Sequence, residues 1–355
     1  MKTHFQFEKT PVKLSVESLT KRFGNRLVLD NLSFQCNDGE FFAVLGKSGS
    51  GKSTLARIVA GLEKCDEGRI LFDDKDVTRV PTHARNAVMV FQNYALFPHL
   101  NVYENIAFGL REARWRETDI HQTVVQAAKT LQIDDKLYCS TAKLSGGEQQ
   151  RVAIARAIAA PSQIVLLDEP LSNLDIVLRR ELQKELKSLQ RKTGKTFIYI
   201  THDQEEALML ADRLILLHQG KMMEIGSPRE VYERPKTHFG ATFIGDANSL
   251  RMRRLDKFLI KSETGLVLQH NQGEMSAKVF DVVIRPEHIV PVEKPQGENV
   301  FRAVVKEEFF KGAISEYRLM VEGTELVMQT SRPFKKEGFV QIQKFYVFPL
   351  KEPEA

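Results

Sequence analysis

Two acidic residues in tandem, Asp168 and Glu169, end the apolar run Ile164-Val165-Leu166-Leu167. Far upstream, the octet Gly46-Lys47-Ser48-Gly49-Ser50-Gly51-Lys52-Ser53 follows another apolar run, Phe41-Phe42-Ala43-Val44-Leu45. The octet matches G-x-x-x-x-G-K-[ST] in full. In that pattern the glycines let backbone N–H groups turn inward around phosphates. Lys52 then reaches the β and γ phosphates, and the Ser53 hydroxyl binds Mg2+. The carboxylates stand where the end of a parallel strand faces a ligand crevice. Asp168 is placed there to hold the metal through water, and Glu169 to orient an attacking water as a base. Taken alone, an acid pair after a strand is more often a solvated helix cap; the phosphate loop upstream reverses that preference.

Three further side chains have two readings each. His202 follows the apolar run that ends Tyr199-Ile200-Thr201; it is either an ordinary surface or core histidine or a group that reaches a γ-phosphate. Gln92, after Val88-Met89-Val90-Phe91, is either a solvated strand-end glutamine or a partner of a water or the metal. Phe23, before Gly24, is either a core phenylalanine or a surface for stacking an adenine. A second glycine-rich start, Leu144-Ser145-Gly146-Gly147-Glu148, opens the helical run that follows it. A serine and glycines at that position suit an anion at a helix N-terminus.

These residues need a scaffold of alternating strands and helices. Strand patterns cover 13 to about 34, the run before the octet, 69–77, 86–92, 163–168, 196–201 and a hairpin around Gly220. Helical periodicity follows the octet, fills about 95–160, and returns at 176–194 and 204–213. Such alternation predicts an α/β core with a mainly parallel sheet, an antiparallel β subdomain and a helical insert. From about 250 the pattern changes to short alternating strands separated by glycine and proline turns, the mark of a small all-β sandwich or barrel. The expected boundary lies near 240, giving domains at 13–240 and 241–355.

The bulk composition narrows the function classes. The 355 residues are 42% hydrophobic and 27% charged, with a formal charge of +5, so a folded chain is expected. That charge permits an anionic surface as partner without requiring nucleic acid. Three scattered cysteines, Cys36, Cys65 and Cys139, fit no metal spacing and read as reduced thiols. No apolar leader is visible at the N-terminus, and no run approaches the length of a membrane span.

In order along the chain, GKSGSGKST, FQNYALFPH, LSGGEQQR, IVLLDEPLSNLD and THDQEEAL resemble the ATP-binding subunits of ABC transporters. The resemblance covers the first two-thirds of the chain. It implies an ATPase core in which Phe23 and residues Gly46 to Thr54, that is Gly46, Lys47, Ser48, Gly49, Ser50, Gly51, Lys52, Ser53 and Thr54, hold ATP. Ser53, Gln92 and Asp168 would hold Mg2+, and Glu169, His202 and Gln92 would serve hydrolysis. It also implies a head-to-tail dimer, in which Ser145, Gly146, Gly147 and Glu148 of one copy cap the γ-phosphate bound by the other. Asp175 would belong to the loop joining the two sites. The segment with Tyr94, Leu96, Phe97, Pro98 and His99 would receive a short helix from a membrane subunit. Lys47 stands where many relatives have proline, leaving every required glycine in place.

The tail, with Arg285, Pro286, Glu287 and His288 in VVIRPEHIVPV, resembles the OB-like, TOBE-type β domain appended to importer ATPases. The wording YALFPHLNVYENIAFGL and FIGDANSL is most similar to polyamine or ferric-iron importers, with sulfate, molybdate, phosphonate and sugar importers sharing much of it. The expectation is therefore an ATPase peripheral to the cytoplasmic face of the inner membrane. Its partners would be permease subunits, an extracytoplasmic solute-binding protein and a second copy of itself, and not nucleic acid. A soluble ABC protein of translation or repair fits less well, because this chain has one cassette and no long coiled-coil insert.

Overall fold

The computed structural model describes residues 11–172, 174–270 and 277–350. The N-terminal stretch read for a leader lies almost wholly outside them. The chain divides into two compact units, Met1–Arg229 and Glu230–Ala355.

The first unit is built on two sheets. Strands β1 (Val12–Phe23), β2 (Arg26–Asn37), β4 (Glu67–Phe72) and β5 (Lys75–Asp76) form an antiparallel sheet in the order β2-β1-β4-β5. The second sheet contains β3 (Phe41–Leu45), β6 (Ala87–Val90), β7 (Ile164–Asp168), β8 (Thr196–Thr201), β9 (Arg213–His218) and β10 (Lys221–Gly226), in the order β10-β9-β3-β8-β7-β6. Its pairs are parallel except the β9–β10 hairpin, which turns at Gly220. The helices are α1 (Lys52–Ala60), α2 (Val102–Glu112), α3 (Glu117–Thr130), α4 (Gly146–Ala159), α5 (Ile176–Thr193) and α6 (Gln204–Leu210).

Strand parity divides the first unit into two cores. Because successive side chains alternate faces, Phe41, Val165, Leu167, Phe197 and Tyr199 point into a cluster with α2, α3 and α4. Their neighbours Phe42, Ile164, Leu166, Ile198 and Ile200 point into a second cluster with α1 and the antiparallel sheet. Strands β3, β7 and β8 are buried along their whole length. That accounts for their unbroken apolar runs, since a parallel sheet covered on both faces has no polar side. The helical insert expected at about 95–160 is α2–α4.

Among the described residues, the second unit carries α8 (His238–Phe243) and ten strands: β11 (Asn248–Arg254), β12 (Leu259–Ser262), β13 (Val267–Gln269), β14 (Val279–Ile284), β15 (Ile289–Val292), β16 (Val300–Phe310), β17 (Ser315–Val321), β18 (Thr324–Thr330), β19 (Glu337–Ile342) and β20 (Tyr346–Pro349). A short helix, α7 (Pro228–Glu233), spans the boundary. The strands form two five-stranded antiparallel sheets, β13-β12-β11-β14-β20 and β15-β19-β16-β17-β18. Both contribute to one apolar core, with Met252, Phe280 and Val282 from the first and Leu319, Leu326 and Val340 from the second. The predicted all-β tail is therefore present. Arg285 is fully buried in it, donating to the carbonyls of Ile244 and Tyr232 with its guanidinium 4.0 Å from the Tyr232 ring.

Candidate functional site

The octet lies between β3 and α1 and owes its shape to two close approaches. A Cβ on Gly46 would overlap the Leu217 carbonyl oxygen in β9 and the Ser50 hydroxyl. Gly51, the residue before α1, has φ +103°, and a Cβ there would meet Leu29 and the Val28 carbonyl at 2.7 and 2.8 Å. Glycine is required at both positions, by packing at the first and by packing and backbone conformation at the second. Lys52 opens α1 and is only 5% exposed. Its ammonium donates to the carbonyls of Gly46 at 2.9 Å and Lys47 at 3.1 Å, and lies 3.8 Å from Glu169. Burial pulls it below the usual lysine range, with Glu169 and Asp168 acting in the opposite sense.

Adjacent strands in the order β3-β8-β7 bring the remaining groups together. The Ser53 hydroxyl donates to Asp168 Oδ1 at 3.1 Å. Asp168 is 7% exposed, and burial raises its carboxyl above the ordinary aspartate range despite that hydrogen bond. Glu169, one residue past β7, has φ +47°, a conformation that costs a non-glycine residue about 1–3 kcal/mol. Its N–H donates to the Ile200 carbonyl at 2.9 Å, and its carbonyl accepts from the Ser172 hydroxyl at 3.0 Å. Those two straps hold the turn, so that Asp168 and Glu169 point to different partners. Glu169 Oε2 lies 3.1 Å from Nδ1 of His202, a half-exposed residue just after β8. Gln92, exposed beyond β6, donates to the Ser172 hydroxyl at 3.4 Å.

A cleft of about 470 Å3 opens beside the octet and Glu169. Its wall includes Phe23, Ser48, Gly49, Gly51, Lys52, Ser53, Thr54, Gln92 and Glu169. Phe23 is 49% exposed, which removes the core reading of that residue, and Lys21 lies over its ring at 4.8 Å. Arg26 and Val28 also line the cleft and were missed in the sequence. Arg26 arrives there through its pairing with Phe23 across the β1–β2 turn, and the turn residues Gly24 and Asn25 were the signal.

Among the described residues, the cleft wall includes none of Ser145, Gly146, Gly147, Glu148 or Asp175. Ser145 is the N-cap of α4 and forms a capping box with Glu148. The Ser145 hydroxyl and N–H both donate to Glu148 Oε2 at 2.8 Å, and the Glu148 N–H donates back to the hydroxyl at 3.3 Å. Asp175 caps α5, accepting from the N–H groups of Val177 and Leu178 at 3.0 Å. Within one chain, both motifs act as helix caps.

The segment after Gln92 holds two successive left-handed residues, Tyr94 and Ala95, at φ +62° and +46°. Arg156 of α4 donates to both carbonyls, at 3.0 and 2.9 Å, and lies 5.2 Å from the Phe97 ring. Phe97 packs on Phe108 of α2 at 4.5 Å. The fully buried Asn105 donates to the carbonyls of Phe97, Leu100 and Asn101 and accepts from the Phe97 N–H. Neither Arg156 nor Asn105 was singled out in the sequence, although a polar side chain on a buried helix face is itself a signal.

The ABC transporter family matches residues 29–172 and the TOBE domain family residues 282–339. The spermidine/putrescine import ATP-binding protein PotA of Pasteurella multocida is 40% identical over 332 residues, covering 91% of this chain and 90% of that protein. The protein of the same name from Photobacterium profundum is 42% identical over 328 residues, covering 90% and 88%. The one from Clostridium acetobutylicum is 40% identical over 321 residues, covering 90% and 91%. Among solved structures, cbiO1 of Clostridium perfringens, part of the ABC transporter complex cbiONQ, has a TM-score of 0.59 at 31% identity, covering 63% of this chain and 92% of that one. A phosphate loop and Glu169 on one cleft, a histidine in contact with that glutamate, relatives matched over nearly their full length and a TOBE tail lead to one conclusion: the chain belongs to the ABC transporter family, as an ATP-binding subunit and ATPase of an import system.

Proposed function

We propose that this ATPase energises uptake of a polyamine, spermidine or putrescine. The support for the solute is the match with polyamine-import ATPases across about nine-tenths of the chain. In this reading the chain works at the cytoplasmic face of the membrane, beneath permease subunits supplied by an external binding protein. None of its helices, among the described residues, is long and apolar enough to cross a membrane.

The observation that carries the chemical role is the double contact of Glu169, with Lys52 on one side and His202 on the other. Lys52 and the octet's backbone N–H groups take the phosphates of ATP, and Phe23 offers a face to the adenine. Glu169 draws a proton from an attacking water. His202, aligned by the carboxylate, donates toward the terminal phosphate. Ser53, Asp168 and Gln92 fit Mg2+, because they are hard oxygen donors with a single carboxylate among them, as suits an ion that keeps water and phosphate ligands. The cost of a buried Asp168 charge is what a cation would offset. Mg2+ there would neutralise charge on the phosphate oxygens; this chain's residues orient the substrate and water.

Two copies head to tail would place Ser145–Glu148 of each over the phosphates held by the other, and Asp175 between the two sites. Uptake of labelled spermidine and putrescine in cells carrying either the unsubstituted chain or Glu169→Gln as their sole copy tests the whole reading. Loss of both uptakes in the variant is expected. Unchanged polyamine uptake with loss of ferric-iron or sulfate uptake would replace the solute.

A further inference from the structure

Arg179, in the first turn of α5, reaches two loops of the site at once. Its Nη2 donates to the Leu174 carbonyl at 3.1 Å, in the loop that carries Asp175. Its Nη1 lies 3.5 Å from Asp203 Oδ2, directly after His202. Asp203 is itself built into the histidine turn. Its N–H donates to the Thr201 hydroxyl at 2.9 Å, and its Oδ1 caps α6 by accepting from the Glu206 N–H at 3.1 Å. The third nitrogen of the guanidinium, Nε, is buried and has no partner among the described residues. A cavity of about 30 Å3 has Arg179 in its wall, together with Glu169, Ser172, His202 and Glu206. That volume and polarity suit one water molecule, which would connect the guanidinium to the groups around Glu169.

We propose that Arg179 is a positioning residue that locks the His202 turn to the loop carrying Asp175, so that the histidine–carboxylate pair is aligned only when that loop is in place. The inference rests on the reading of Glu169 and His202 as reacting groups. A guanidinium suits the task because its planar fork holds two acceptors at fixed angles, which an ammonium cannot do. The link passes through one ion pair and one carbonyl contact. A shift of the Asp175 loop therefore pulls on Asp203 and on the residue before it. Since Glu169 and His202 are in contact at 3.1 Å, a small movement of the turn breaks their alignment without disturbing Lys52 or the octet.

The test uses the full-length chain, with steady-state ATP hydrolysis and equilibrium ATP binding measured for Arg179→Met, Asp203→Asn, the double variant and Arg179→Lys. Asp203→Asn keeps a capping oxygen and removes the charge. Misplacement by about 1 Å can cost roughly a hundredfold in rate. The expected result is a fall in turnover of about tenfold to a hundredfold for Arg179→Met, with ATP affinity within about twofold of the original. The double variant should fall no further than Arg179→Met, and Arg179→Lys should recover part of the loss.

Turnover within about twofold of the unsubstituted chain would overturn the proposal. So would losses that multiply in the double variant, or ATP affinity falling in step with rate. If Arg179→Met does not fold, Arg179→Lys and Asp203→Asn must each lower turnover at unchanged ATP affinity, or the proposal fails. Glu169→Gln, run alongside, separates the two levels. Normal turnover in that variant would refute the underlying reading; an inactive Glu169→Gln beside an unimpaired Arg179→Met refutes the positioning role alone.

Discussion

At the scale of single residues, the site depends on which charges are buried and what offsets them. Lys52 and Asp168 are both displaced from their ordinary ranges by burial. Lys52→Ala removes the ammonium from the phosphate loop, and charged hydrogen bonds are worth about 1.5–3 kcal/mol. ATP affinity is therefore expected to fall by about tenfold or more, as read by equilibrium titration. Glu169→Gln keeps the shape and removes the base. Turnover should drop by about a hundredfold or more, while ATP still binds.

Glu206 gives a pH prediction. It is buried, and it accepts from the hydroxyls of Tyr199 and Thr201 at 2.8 and 2.7 Å. Burial raises its carboxyl above the ordinary glutamate range, with those two hydrogen bonds opposing. The native chain thus keeps a proton that the unfolded chain releases, and stability declines as pH rises from the ordinary glutamate pKa through the raised native one. Glu206→Gln lacks that contribution. In urea titrations across this window, the stability of the original relative to the variant should decrease with rising pH; an increase would contradict the assignment.

The octet and the acid pair were legible in the sequence because each is a local pattern with a fixed chemistry. The contact between Glu169, Lys52 and His202 was not. It depends on β8 inserting between β3 and β7, an adjacency that no local spacing encodes. Phe23 has two readings in the sequence because its exposure follows from the position of the β1–β2 turn.

At the scale of elements, several buried cations hold helix ends. Arg85 donates to the carbonyls of Ile58 and Val59 at the end of α1, and also to those of Val80 and Thr78. Arg85→Ala leaves those acceptors unpaired under a buried helix end. The expected cost is about 3 kcal/mol in the denaturation of the first unit. Ser145 is more informative, because its hydroxyl has two jobs in the proposed function. As an N-cap it contributes about 1 kcal/mol to the nucleotide-free chain. Ser145→Ala should lose that much stability and, separately, lose ATP-driven association of two copies. A stability loss with association intact would leave the residue a cap only. The start of α4 was readable from Ser145, whereas Asp175 as the cap of α5 and Arg156 on Tyr94 and Ala95 were not, the latter because long side chains reach across elements in directions that periodicity does not show.

At the scale of the whole molecule, the strand and helix inventory was readable but the strand order was not. The alternation of strands with helices indicated the α/β class, and the change of texture near residue 250 indicated the β tail. Local patterns, however, do not distinguish β10-β9-β3-β8-β7-β6 from other parallel orders. The proposed dimer makes the molecule's assembly state a readout of its chemistry. In sedimentation experiments Glu169→Gln should sediment as a dimer with ATP and Mg2+ and as a monomer with ADP, because the diphosphate lacks the group to be clamped. A variant that stays monomeric with ATP at saturating concentration would argue against the sandwich.

The tight seat of Gly46 against Leu217 has a consequence for how this loop can be inherited. That glycine is required by the folded chain whether or not a nucleotide ever arrives, since any larger residue would push β9 away from the loop. A descendant that lost hydrolysis could shed the Glu169 carboxylate while still being obliged to keep Gly46. The first glycine is thus a record of ancestry, and the acid at the end of β7 is the better marker of a working enzyme.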